Sequence, residues 1–198
     1  MKVSVVFGKR LFDIIVSMIA LSLFSWLIFL AWLLSSIETR SNGFFFQKRI
    51  GRYGKPFNII KIKTMRPSSS NSSSVTTSKD SRITRLGRFW RKTKIDELPQ
   101  LINVLKGDMS FVGPRPDVPG YADKLKGADR AILSIRPGIT GPASIAFKHE
   151  EEILSKQIDA QRYNDEVIYP QKVKLNLKYI EEWSLINDIK YIFKTILG

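Results

Sequence analysis

The chain contains no cysteine and one histidine, His149, in 198 residues. Disulfides, thiolate nucleophiles and sulfur metal ligands are therefore excluded, and one chain cannot assemble a multi-histidine metal site. Negative charge is also scarce: 18 acidic residues against 32 basic ones give a net charge of +14 and a pI near 10. So basic a chain seeks phosphate, as nucleic acid, phosphorylated substrate or anionic lipid headgroups. Its chemistry must rest on carboxylates, Lys and Arg, and any metal must be a hard, oxygen-liking ion such as Mg²⁺.

Charge of either sign is missing altogether from Ile14 to Ile37. That run can cross a bilayer core of roughly 30 Å and is too long for a signal-peptide core. Lys2, Lys9 and Arg10 precede it, while Arg40, Lys48, Arg49, Arg52 and Lys55 follow, so both flanks carry the positive charge of cytoplasmic ends. The symmetry predicts a re-entrant membrane helix over residues 1–40, entering and leaving by one face and bending near Ser22 and Ser25. A straight single span is the alternative.

Residues 41–198 form the second expected unit. Phe44–Gly51 and Lys55–Met65 read as two short strands of a hairpin, with Lys61 and Lys63 on one face by period two, placed for a common anion. The Ser/Thr-rich stretch 67–80 has no hydrophobic pattern and predicts either a linker or a mobile loop that closes over substrate. Arg82–Lys92 alternates an arginine stripe with Ile83, Leu86 and Trp90, which predicts an interfacial amphipathic helix capped by Ser81. Arg91 is its candidate phosphate ligand. The neighbouring apolar segment argues against nucleic acid as the partner of this helix.

The centre of the chain is Thr93–Pro116, TKIDELPQLINVLKGDMSFVGPRP. Leu98, Leu101, Ile102 and Leu105 mark one buried helical face. Pro99 suits a first turn and Gly107 a helix end. Asp96 and Glu97 fall at or before the helix start, where free N–H groups favour anions. One carboxylate holding Mg²⁺ while the other attacks phosphorus, both holding metal, or acidic residues that only stabilise the helix all fit that position. A glycosidase pair does not, because its carboxylates flank the scissile bond from opposite sides. Pro114 and Pro116 stiffen the turn that presents Arg115, which suits bidentate phosphate recognition. Arg136 sits in a second such loop, IRPGITGP. His149, Glu150, Glu151 and Glu152 read as a solvated helix start rather than a metal cluster. Gly120–Ser134, Glu150–Gln161 and Asn176–Leu197 read as further helices, the last with an apolar stripe from Tyr179 to Ile196 and an interruption at Ser184–Asp188.

The hydrophobic N-terminal segment, FFFQKRIG, KIKTM, KIDELPQLINVLKGDMSFVGPRP and IRPGITG together resemble the bacterial sugar transferases. More narrowly they resemble the minimal catalytic form of the monotopic polyprenol-phosphate phosphoglycosyl transferases, which begin O-antigen, capsule and related glycan assembly. The resemblance implies an enzyme on the cytoplasmic face of the bacterial inner membrane, in contact with phospholipid. It would transfer sugar-1-phosphate from a UDP-sugar to polyprenol (undecaprenyl) phosphate and release UMP. By that likeness Asp96 is the nucleophile that carries the phosphosugar and Glu97 holds Mg²⁺. Arg91 and Arg115 meet substrate phosphates, and Pro114–Pro116 is the nucleotide-binding turn. The chain departs from many relatives in three places: Ser25-Trp26 where they have Ser-Pro, PASIAFKHEEEIL after IRPGITG, and Asn176 where they have Asp.

The expected fold is thus mixed α and β, mainly helical, with an N-terminal membrane helix, interfacial amphipathic helices and a small β element. A non-catalytic membrane-bound module gathering anionic lipid or nucleic acid is the competing function.

Overall fold

The computed structural model describes residues 3–66 and 80–197, so the loop expected at 67–80 lies, but for its last residue, outside the described residues. The first helix, α1 (Val3–Thr39), carries the apolar run and is helical throughout. The break expected near Ser22 and Ser25 is not found: no proline interrupts the helix, and the Ser25 hydroxyl bonds back to Ser22 O at 3.4 Å within it. Its middle, including Met18, Ile19, Leu23, Phe24 and Trp26, is exposed.

Both ends of α1 dock on the rest of the chain. Near its start, Lys9 pairs with buried Asp188, which also accepts from Tyr179 Oη at 2.7 Å and Trp183 Nε1 at 3.1 Å. Asp13 accepts from Ser110 Oγ at 3.1 Å and from Phe111 N at 3.2 Å. Near its end, buried Ala31 packs with Ile62 and Trp90, and Ser36 Oγ accepts from Gly43 N at 2.8 Å.

The expected hairpin is present as antiparallel β1 (Phe44–Ile50) and β2 (Pro56–Ile62), with Phe44 opposite Ile62 and Ile50 opposite Pro56. Next, α2 (Arg85–Thr93) starts later than its stripes suggest, and Thr84 rather than Ser81 caps it. Ile83 is held in a bridge to Met65, and Thr84 Oγ1 accepts from Gly87 N at 2.9 Å. Gly87 is required there: a Cβ would lie 2.1 Å from Thr64 O.

The central helix is α3 (Gln100–Lys106), ended by Gly107 at φ 95°. Its buried face is rotated from the expected one: Gln100, Leu101, Asn103 and Val104 are buried, while Leu105 is exposed. The cause is Asn103, a polar residue that belongs inside because it completes the edge of β2. Its Nδ2 donates to Asn58 O at 2.8 Å and its Oδ1 accepts from Ile60 N at 3.0 Å. Val104 then joins Ile59 and Met109 in one core cluster. At the other end of α3, Arg10 donates to Val104 O and Leu105 O at 2.6 and 2.8 Å, a cation where the helix dipole favours one.

Short parallel strands β3 (Ser110–Val112) and β4 (Gly138–Thr140) pair Ser110 with Gly138. Gly113 N donates to Thr140 O and Gly138 N to Pro114 O, at 2.9 and 2.8 Å. This closeness needs glycine, since a Cβ on Gly113 would sit 2.5 Å from Arg136 O.

The region expected as helix at Gly120–Ser134 is instead two 3₁₀ segments, Ala122–Lys124 and Gly127–Ser134. Then come α4 (Pro142–Ala146), α5 (Glu150–Ser155), α6 (Ala160–Tyr163), a π-helical turn Asn164–Ile168, α7 (Tyr169–Glu181) and α8 (Leu185–Leu197). Asp159 starts α6 by accepting from Arg162 N at 2.9 Å, which splits the expected Glu150–Gln161 helix. Ser184 Oγ, accepting from Asn187 N at 3.1 Å, starts α8 and makes the interruption expected at Ser184–Asp188. Tyr179 is buried, but Ile186, Phe193, Ile196 and Leu197 of α8 are exposed, as is Phe89 of α2. The fold is mixed α and β, mainly helical, with the expected small β element present as two two-stranded sheets.

Candidate functional site

Lys94, in the left-handed region at φ 60°, ends α2 and turns the chain into a 3₁₀ turn, Ile95–Glu97. Asp96 and Glu97 therefore precede α3 on a tight turn. The two neighbours differ sharply. Glu97 Oε1 accepts from Lys61 Nζ at 2.9 Å and Arg115 Nη2 at 2.6 Å. Burial alone would raise the Glu97 pKa, but the Arg115 and Lys61 charges outweigh it and hold the carboxyl far below its usual range. Glu97 in turn raises the Arg115 pKa, whereas burial lowers that of Lys61.

Asp96 is buried, and its Oδ1 has no hydrogen-bond partner among the described residues. Burial, then the adjacent Glu97 charge, push its pKa up to about 6 against the pull of Lys61, Lys94 and Arg91. It is a poorly solvated carboxylate beside a strongly ionised one. The first suits nucleophilic attack, because little solvent has to be stripped from it.

Arg115 projects from the Pro114–Pro116 turn, both prolines buried while its own side chain is 46% exposed. Arg91 lies near enough for its charge to act on Asp96, and its Nη2 is 3.8 Å from Glu151 Oε1. Thus Lys61, Arg91, Asp96, Glu97, Pro114, Arg115 and Pro116 gather as the sequence suggests. Lys63 does not: β2 ends at Ile62, and Lys63 Nζ turns to Ser41 Oγ at 2.9 Å. Nor does Arg136, whose Nε donates to Gly107 O at 2.7 Å and so caps α3.

Sequence reasoning missed three features. Arg49 of β1 lies behind the proline turn. Asp117, just past the turn, accepts from Tyr169 Oη at 3.1 Å, and burial raises its pKa to about 6. Glu150 pairs with Lys172 at 2.6 Å, close enough to act electrostatically on Arg115. Only the Arg at alternate spacing from Gln47 in FFFQKRIG offered a signal.

Mg²⁺ fits the donor set in a limited way. No group of three or more His, Asp or Glu side chains is gathered for a metal among the described residues. Hard oxygens are nevertheless present at Asp96 Oδ1 and at the second oxygen of Glu97. Mg²⁺ is commonly held by one or two carboxylates together with substrate phosphates.

One free carboxylate, one carboxylate gripped by two cations, and a rigid arginine turn, all docked on a long apolar helix, define a protein equipped for phosphorylated ligands. The chain belongs to the bacterial sugar transferase family, whose profile matches residues 4–198. It is 34% identical over 201 residues to a UDP-glucose:undecaprenyl-phosphate glucose-1-phosphate transferase of Caulobacter vibrioides, covering 98% of this chain and 70% of the relative. It is also 34% identical over 197 residues to a UDP-N-acetylgalactosamine-undecaprenyl-phosphate N-acetylgalactosaminephosphotransferase of Aeromonas hydrophila, over 96% of this chain. A glucose-1-phosphate transferase of Escherichia coli K12 matches at 34% over 95% of this chain. The chain spans 43% and 39% of the length of these last two. Equal identity to enzymes named for different sugars means that overall similarity does not choose the sugar.

Proposed function

We propose that this protein transfers sugar-1-phosphate from a UDP-sugar to undecaprenyl or a related polyprenol phosphate, as the first membrane step of a bacterial glycan. The observation that carries the reading is the inequality of Asp96 and Glu97, beside Arg115 and against an apolar helix. Its relatives' names supply the two substrates.

In this mechanism the donor diphosphate enters among Arg115, Lys61 and Arg91. Asp96 attacks the sugar-bearing phosphorus. The bond to the bridging oxygen breaks and UMP leaves with that oxygen, so the phosphosugar rests on the Asp96 carboxylate. The acceptor phosphate oxygen then attacks the same phosphorus and returns Asp96 to its ionised form. Arg115 swings part of its hydrogen bonding from Glu97 to phosphate, and the buried surroundings of Asp96 keep water from the intermediate. Glu97 is the residue that would hold Mg²⁺, together with substrate phosphate, and the ion would supply charge neutralisation for the diphosphate when bound.

The two docked ends of α1 support an arrangement in which both lie on one face of the membrane, the re-entrant path requiring a bend in lipid that the continuous helix does not itself show. Asp13 and Ala31 are separated by about 27 Å of helix at about 1.5 Å per residue, close to the thickness of a bilayer core. A helix standing upright across that core would carry one docked end to the far side. One domain holds both.

The test is incubation of the purified protein with Mg²⁺, undecaprenyl phosphate and a panel of UDP-sugars, starting with UDP-glucose and UDP-N-acetylgalactosamine. UMP release from at least one donor is expected. Absence of UMP across the whole panel overturns the reading.

A further inference from the structure

Arg115 is useful only if its turn is fixed, and prolines fix φ without saying where the turn sits. Backbone bonds do part of that work: Gly138 N donates to Pro114 O at 2.8 Å and Ile50 N to Asp117 O at 2.9 Å. Between those two points, at Pro116, no ladder reaches. There Arg49 Nη1 donates to Pro116 O at 3.1 Å, while its Nη2 donates to Gln47 Oε1 at 2.5 Å. The guanidinium plane is held from one side by its own strand and grips the turn with the other.

A neutral amide could satisfy one carbonyl without a second cation beside Arg115. Burial and the neighbouring Arg115 lower the Arg49 pKa to about 10, so the arrangement works against its own charge. That cost makes sense where an anion is due to arrive. A fork spanning two acceptors also cannot be copied by lysine, whose ammonium is a point donor on a flexible stem.

We propose that Arg49 is a positioning residue for the transfer reaction: by clamping the Pro116 carbonyl to β1 it sets the direction in which Arg115 meets donor phosphate. The inference rests on the reading of Arg115 given above. Arg49 acts through Arg115 rather than on the substrate.

A kinetic cycle of Arg49→Lys, Arg115→Lys and the double variant, with melting temperature measured alongside, tests it. Arg49→Lys is expected to raise the donor KM about tenfold with kcat within about threefold, the size of one lost oriented contact. In the Arg115→Lys background the same change is expected to add nothing to the kinetics, since effects passing through one residue are not additive. Wild-type kinetics for Arg49→Lys, or effects that multiply in the double variant, overturn the proposal. A second readout needs no turnover: the Arg115 Nε–H resonance of the full chain in nanodiscs, assigned by its loss in Arg115→Lys. It is expected to shift in Arg49→Lys; an unmoved resonance overturns the proposal. Wild-type UMP release with additive variants sinks Arg49 alone, whereas no UMP release from the wild type sinks the reaction and leaves the resonance to judge the clamp.

Discussion

Adjacent carboxylates rarely differ as much as Asp96 and Glu97, and the difference comes from direction. Glu97 points at Lys61 and Arg115, while Asp96 Oδ1 points at neither. Asp96→Asn is expected to abolish UMP release and the covalent phosphosugar adduct, seen by intact-protein mass spectrometry, with the melting temperature unchanged or higher. An active Asp96→Asn protein would refute the nucleophile. Because only ionised Asp96 attacks, kcat/KM should rise with pH through about 6 and level off above it. Glu97→Gln leaves Lys61 and Arg115 without their carboxylate and should destabilise the fold by about 3 kcal/mol, toward the low end for a broken buried pair because Arg115 is half-exposed. Chemical denaturation measures that. Asp117 gives a different pH signature. Burial raises its pKa from 3.8 to about 6, so its contribution to stability is full below about 3.8 and is lost as pH rises through about 6. Asp117→Asn removes the titration, so its melting temperature should gain on that of the wild type between pH 4 and pH 7.

Among the elements, α3 matters most, because it carries the turn of Asp96 and Glu97 on its front and rests on β2 through Asn103. Asn103→Ala would strand Asn58 O and Ile60 N at the inner edge of the hairpin. It should cost roughly 1–3 kcal/mol and loosen Lys61, raising donor KM as well as lowering the melting temperature. The hairpin was legible in sequence because Gly51 and Gly54 bracket its turn and alternation marks its strands. The rotation of α3 was not, since an asparagine reads as solvent-facing until its backbone partners are known. The β3–β4 pair was equally hidden: strands of three residues, far apart in sequence, give no periodic signal. The same limit applies to the site. Asp96, Glu97 and Arg115 stand out as charged residues among Gly and Pro, but Arg49, Asp117 and Tyr169 are read only from what they touch. Lys63 and Arg136 show the converse, since basic residues on promising spacing were claimed by Ser41 and by the end of α3.

At the scale of the molecule, open apolar surface lies on the middle of α1, on Phe89 of α2 and along α8. Exposed patches of this kind mark sites of membrane or partner contact. Phe193→Glu with Ile196→Glu should reduce partition into anionic liposomes several-fold by flotation while leaving the ion pairs of the site intact. Cysteine placed in turn near residue 7 and at residue 40, the chain having none of its own, should be labelled from the same side of intact vesicles. Labelling from opposite sides would refute the re-entrant helix.

The bond between Lys9 and Asp188 spans 179 residues of chain. During synthesis α1 is made before Asp188, so its Lys9 end docks only once the chain as far as α8 is available. Until then the Lys9 ammonium lacks its Asp188 partner while the apolar run of α1 is already made. A chain stopped before Asp188 would lack the carboxylate that joins Lys9, Tyr179 and Trp183, so the first and last helices would lose this polar tie.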